Sequence, residues 1–154
     1  MPLTLTLTER LARARGDLRM GVPVVLTEGG AVALVVAAEA LTPARLEELR
    51  GLGVPELAIT ARRAATLKVA AYHGDLARLA VPAQAGVGWV AAVADPVDDL
   101  AVPMKGPFRP LRGGGAGLHR TALLLAKAAH LLPAVLVVPV AAVAIEGQIG
   151  RAHV

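Results

Sequence analysis

Residues 112–121, Arg-Gly-Gly-Gly-Ala-Gly-Leu-His-Arg-Thr, are the stretch of this chain whose types and spacing could do chemistry. A glycine-rich run entering a helix start offers unpaired backbone N–H groups and the positive end of the helix dipole, both of which favour an anion. Arg112 and Arg120 add charge. With Gly114, Gly115, His119 and Thr121 they form a candidate phosphate-binding set. No Lys-Ser or Lys-Thr follows at the required spacing, so a nucleotide P-loop is excluded. The same residues suit a flexible loop that binds nothing, and both readings stand. His119 reads as a solvated histidine at a helix start, with metal ligation as the alternative. His73 and His130 have no clustered partners in sequence and read as surface or packing residues. No residue is assigned as catalytic and none as a metal ligand.

The elements that must position this stretch follow from periodicity and punctuation. Leu7, Leu11, Ala14 and Leu18 repeat at helical spacing, and Thr6 with Glu9 has the spacing of a capping box, so a helix is expected over about 7–19. Val22–Leu26 reads as a strand, Glu28-Gly29-Gly30 as a turn and Val32–Ala37 as a second strand. Thr42-Pro43 opens a helix to Arg50, with Leu46 and Leu49 inward. Glu56–Ile59 is a strand, and Thr60 caps a helix over Ala61–Lys68. Residues 69–86 are mixed. Trp89–Ala94 reads as a strand and Val97–Gly117 as a long loop. His119–Leu132 is expected as a helix with Leu124, Leu125, Ala128 and Leu131 inward, followed by a strand over Val135–Val140. This alternation predicts an α/β fold, a mixed sheet with helices packed on it.

Composition narrows the function classes. Of the 154 residues 55% are hydrophobic, and Trp89, Tyr72 and Phe108 are the only aromatics. The core must be Val, Leu and Ala, a mixture that suits buried, in particular parallel, strands under alanine-rich helices. There is no cysteine, so disulfides, thiolate metal sites and a cysteine nucleophile are excluded, in keeping with a cytoplasmic location. Sixteen basic residues against twelve acidic ones is a small excess. The arginines are scattered with no basic block and no interleaved aromatics, so no nucleic-acid partner is expected. Leu131–Ile145 is uncharged but shorter than the roughly 20 residues of a membrane span. Pro133 and Pro139 interrupt it, so a buried strand is expected there and no membrane association. The start of the chain lacks the pattern of a secretory signal.

Several segments resemble one family. GVPVVL (Gly21–Leu26), LVVAAEALTP (Leu34–Pro43), LAIT with ARRAATL (Leu57–Leu67) and TALLLAKAAHLLPAVLVVPV (Thr121–Val140) are similar to the framework of 3,4-dihydroxy-2-butanone 4-phosphate synthases. Trp89–Asp95 is similar to that family's strand ending in Asp. The resemblance implies a synthase-like α/β fold over residues 1–148. The family converts ribulose 5-phosphate to a four-carbon phosphate and formate with a divalent metal. Its acidic residues lie in a loop between two strands, and a Gly-His-Thr-Glu begins its last helix. Here the matching loop, Thr27–Ala33, has Glu28 as its single ionisable residue. The Gly-His-Thr-Glu positions fall on Gly117, Leu118, His119 and Arg120. A one-residue slip would put His119 on the family histidine but leaves Thr121 two residues later where Glu is needed. Glu39 matches an Ala-Ala-Glu of the family and is read as a structural carboxylate.

The resemblance therefore implies a synthase-like domain without catalytic residues, as found in front of some bacterial GTP cyclohydrolase II proteins. Such a parent would place zinc in a cysteine-bearing C-terminal domain and no cofactor here. The family implies a homodimer. An active synthase with a rearranged site and a free-standing sugar-phosphate-binding domain are the alternatives. Ile149–Val154, IGRAHV, is the translation of a common sequencing-adapter sequence whose next codon is a stop. Residues 149–154 are accordingly expected to be an artefact, and the domain to be truncated at its C-terminal end.

Overall fold

The structure, a computed structural model, describes residues 5–101 and 106–141. The expected behaviour of the 149–154 tail therefore lies outside the described residues. Helix α1 (Leu7–Met20) starts at the expected capping box: the Thr6 hydroxyl accepts from the Glu9 amide at 3.1 Å, and the Thr6 amide donates to the Glu9 carboxylate at 2.9 Å. Gly21 closes the helix in the left-handed region at φ 78°. Strands β1 (Val24–Glu28) and β2 (Ala31–Ala37) form a hairpin through Gly29 and Gly30, at φ 52° and 86°. Positive φ at both central residues is what a two-residue hairpin turn requires. A 3-10 turn (Ala38–Ala40) leads to α2 (Pro43–Arg50), capped by Thr42. Strand β3 (Glu56–Thr60), α3 (Ala61–Thr66), β4 (Leu76–Ala80), α4 (Val87–Ala94), α5 (Gly117–Ala128) and β5 (Ala134–Val140) follow.

The five strands among the described residues form one sheet in the order β1-β2-β5-β3-β4, and every neighbouring pair is antiparallel. The α/β expectation with packed helices holds, but the sheet is neither mixed nor parallel. The reason lies in β5. Strands β2 and β3, connected through α2, point the same way, and β5 enters antiparallel between them. Val35 pairs with Val137 on one side, and Leu57 pairs with Leu136 on the other.

Both faces of the sheet are covered, so its strands read as apolar runs without polar alternation. Leu34, Val36, Leu57, Ile59, Leu136 and Val138 point to one side, under α2, α3 and α4. Val35, Ala37, Ala58, Val135 and Val137 point to the other, under α1 and α5. Leu46 and Leu49 are buried as expected.

Other expectations need correction. Trp89–Ala94 lies in helix α4, where half-buried Arg63 takes over helix-end carbonyls. Its guanidinium donates to Val93 O at 2.7 Å and Ala92 O at 3.1 Å, and it is paired with Asp99. A short apolar run fits helix and strand equally. Strand β4 was hidden in the mixed stretch because Arg78 breaks its apolar pattern. Helix α5 begins two residues earlier than expected and stops at Ala128, where His130 takes φ 61°. Ala122, Leu123, Leu125 and Ala126 are its buried face; Leu124 and Ala128 are exposed, Leu124 to 60%. Leu131 packs at the edge of that core. Leu7 is exposed, leaving Ala14 and Leu18 as the fully buried residues of α1. Helix α3 ends at Thr66 rather than Lys68. The uncharged stretch after Leu131 supplies β5, and among the described residues no helix is long and apolar enough to cross a membrane.

Candidate functional site at the start of helix α5

Helix α5 begins without a side-chain cap: Ala116 occupies the cap position, and the first turn contains no acid. The carboxylate of Glu28, at the end of β1, stands against it. A Cβ added to Gly117 would lie 2.7 Å from Glu28 Cδ, so glycine leaves the room the carboxylate occupies. Negative charge at a helix N-terminus is complementary to the dipole.

Behind this point lies a buried ionic network that sequence reasoning missed. Glu56 and Arg78 sit diagonally across the β3–β4 pair, on the sheet face that α5 covers. One oxygen of Glu56 accepts from His119 Nε2 at 2.8 Å and from Arg78 Nη1 at 3.0 Å. Arg78 Nε donates to His73 Nε2 at 3.0 Å, and Nη2 donates to the Gly113 carbonyl. His119 is therefore not the solvated histidine expected; it is 5% exposed, as is Arg78. Burial works against the charge of Glu56, but hydrogen bonds from His119 and Arg78 outweigh it and hold the acid below its usual range. The Nδ1 atom of His119 is buried without a partner among the described residues.

The remaining candidate residues are engaged nearby. Arg120 makes a two-pronged contact with Asp75, at 2.7 and 2.8 Å. That contact holds the exposed Asp75 carboxyl below its ordinary value and raises Arg120. Arg112 lies over the Tyr72 ring, 4.5 Å from its centre, and donates to the Tyr72 hydroxyl at 3.1 Å. Gly114 adopts φ 79° beside the Arg78 guanidinium. Gly115 is exposed and Thr121 half-buried. His119 and Arg120 thus share the first turn of α5, whereas Arg112 is held at the opposite end of the loop by Tyr72. The signal for the network was faint: Glu56 and Arg78 are charges inside otherwise apolar strands, a pattern that calls for a buried partner.

No protein-family model and no curated protein sequence matches the chain. Solved structures do. The fold is that of the 3,4-dihydroxy-2-butanone 4-phosphate synthases. A two-domain synthase from A. baumannii aligns with TM-score 0.60 and 16% identity over 85% of this chain. A synthase in complex with two magnesium ions gives 0.62 and 15% over 84% of this chain and 74% of that one. A synthase from Candida albicans gives 0.61 and 16% over 92% and 84%. The chain spans about half, 47%, of the two-domain protein. Magnesium needs several hard oxygen ligands close together. Among the described residues no three His, Asp or Glu side chains converge to hold a metal ion. The residues at the start of α5 do not fit that group.

Proposed function

We propose that this chain is a non-catalytic, synthase-like module of a cytoplasmic riboflavin-biosynthesis protein, standing in front of a GTP cyclohydrolase II domain and dimerising through a second copy. The observation that carries the reading is the composition of the α5 start. Glu28 is the carboxylate brought against Gly117 from the end of β1. Leu118 and Arg120 stand where the resemblance calls for His and Glu, and His119 is turned into the buried network with Glu56. Repeated proton transfer beside a carbonyl needs several positioned acids and bases, and groups that act as a unit are not restored singly.

The purified chain, supplied with ribulose 5-phosphate and Mg²⁺, is expected to release no formate above background. Turnover within about tenfold of an intact synthase, abolished by Glu28→Gln, would overturn the proposal, since loss of one acid or base typically costs 10²–10⁴-fold. Titration of the same sample with ribulose 5-phosphate, followed at the amides of Gly114, Gly115 and Thr121, separates a silent module from one that retains sugar-phosphate binding.

A further inference from the structure

The two histidines of the buried network play opposite roles. Arginine has only donors, so Arg78 Nε can meet His73 Nε2 at 3.0 Å only if that nitrogen carries its lone pair. His73 is therefore neutral in this arrangement, with its proton on Nδ1. Glu56 is held as a carboxylate, so His119 Nε2 must donate to it, which the ring does whether neutral or charged. Protonating His119 leaves its bond in place. Protonating His73 removes an acceptor and sets a second positive charge beside a guanidinium.

We infer that His73 is a proton-sensitive latch on the glycine-rich loop. Through Arg78 it fixes the Gly113 carbonyl, and with it the segment that leads into α5. The guanidinium is a rigid fork: Nε serves His73, Nη1 serves Glu56 and Nη2 serves Gly113. Losing the first acceptor turns the fork away from the third. His73 is half-buried, so protons reach it from solvent while Arg78 stays buried. The charged groups around the imidazole are Arg78 from β4, in direct contact, Glu56 from β3, bonded to Arg78, and Asp75 from the same loop, itself occupied by Arg120 of α5. His119, also from α5, is turned toward Glu56. The direct contact is with Arg78, so protonation opens the latch.

The test is ¹⁵N relaxation of the full chain as pH is lowered from about 8 to about 5, the interval in which histidines titrate. Backbone order parameters of Gly113–Gly115 are expected to fall from about 0.85, the rigid value, to below about 0.6. In His73→Gln, whose side-chain oxygen accepts at every pH, they should stay high throughout. Order parameters independent of pH in the unaltered chain overturn the inference. So does an equal fall in His73→Gln, which would assign the titration elsewhere. Ring ¹⁵N shifts of the unaltered chain add a check that needs no variant: a protonated His73 Nε2 at neutral pH removes the latch altogether.

Discussion

Glu56 ties the start of α5 to the sheet beneath it. It accepts from a helix and from an adjacent strand with a single oxygen, and its carboxyl is held below the usual range. A depressed carboxylate contributes stability that is present above its unfolded value, near 4.3, and is lost as pH falls through the folded one. Glu56→Gln should therefore lower stability at pH 7 by about 1.5–3 kcal/mol, the worth of a hydrogen bond to a charged group. It should also flatten the decline on acidification below the ordinary glutamate range. Urea unfolding across pH 3–7 reads both; an unchanged acid slope would show that Glu56 does not carry the linkage. Little of this was legible beforehand. The sequence announces Arg112, Arg120 and the glycines, because local spacing brings them together. It does not announce Glu56 with His119, because their meeting depends on which strand lies beneath α5.

Elements were legible where a local device fixes them. The capping box at Thr6, the paired glycines after Glu28, and Thr42-Pro43 each dictate a geometry on their own. Trp89–Ala94 was not legible. Its helical form depends on Arg63, contributed by α3, which takes the carbonyls of Ala92 and Val93. Two glycines separate constraint from permission. A Cβ at Gly53, between α2 and β3, would meet Pro139 O and Val138 Cγ1, each at 2.8 Å. Both belong to β5, which cannot retreat. Gly53→Ala should cost about 1–3 kcal/mol, as overpacking does. At Gly88, inside α4, a Cβ meets nothing within 4 Å. Gly88→Ala should stabilise by about 0.5–1 kcal/mol, the helix-interior difference between the two residues. Thermal melts of the pair check both signs, and a neutral Gly53→Ala would show that β5 yields more readily than its burial implies.

At the scale of the molecule, strand order was the least legible property. Apolar runs identify strands without saying which is the neighbour of which, and the composition pointed to parallel pairing. What decides the order is β5, which among the described strands comes latest in sequence and lies in the middle of the sheet. It joins the β1–β2 hairpin to the β3–β4 pair, which among the described strands are not bonded to each other without it. A chain ended at Leu132 should show no cooperative urea transition by circular dichroism; a sharp transition would mean that the helices alone unite the two pairs.

The position of β5 also bears on synthesis. A chain emerging from the ribosome N-terminus first makes the β1–β2 and β3–β4 pairs and the five described α-helices before the strand that belongs between them exists. Until Ala134–Val140 appears, β2 and β3 each present a bare apolar edge, the kind of surface that pairs with the wrong partner. Seating β5 after its neighbours also means that pairings such as Val32 with Val140 close over a long stretch of chain, which slows folding. The nascent domain is therefore most exposed to misassembly, and most in need of a chaperone's shelter, during the interval just before β5 is released.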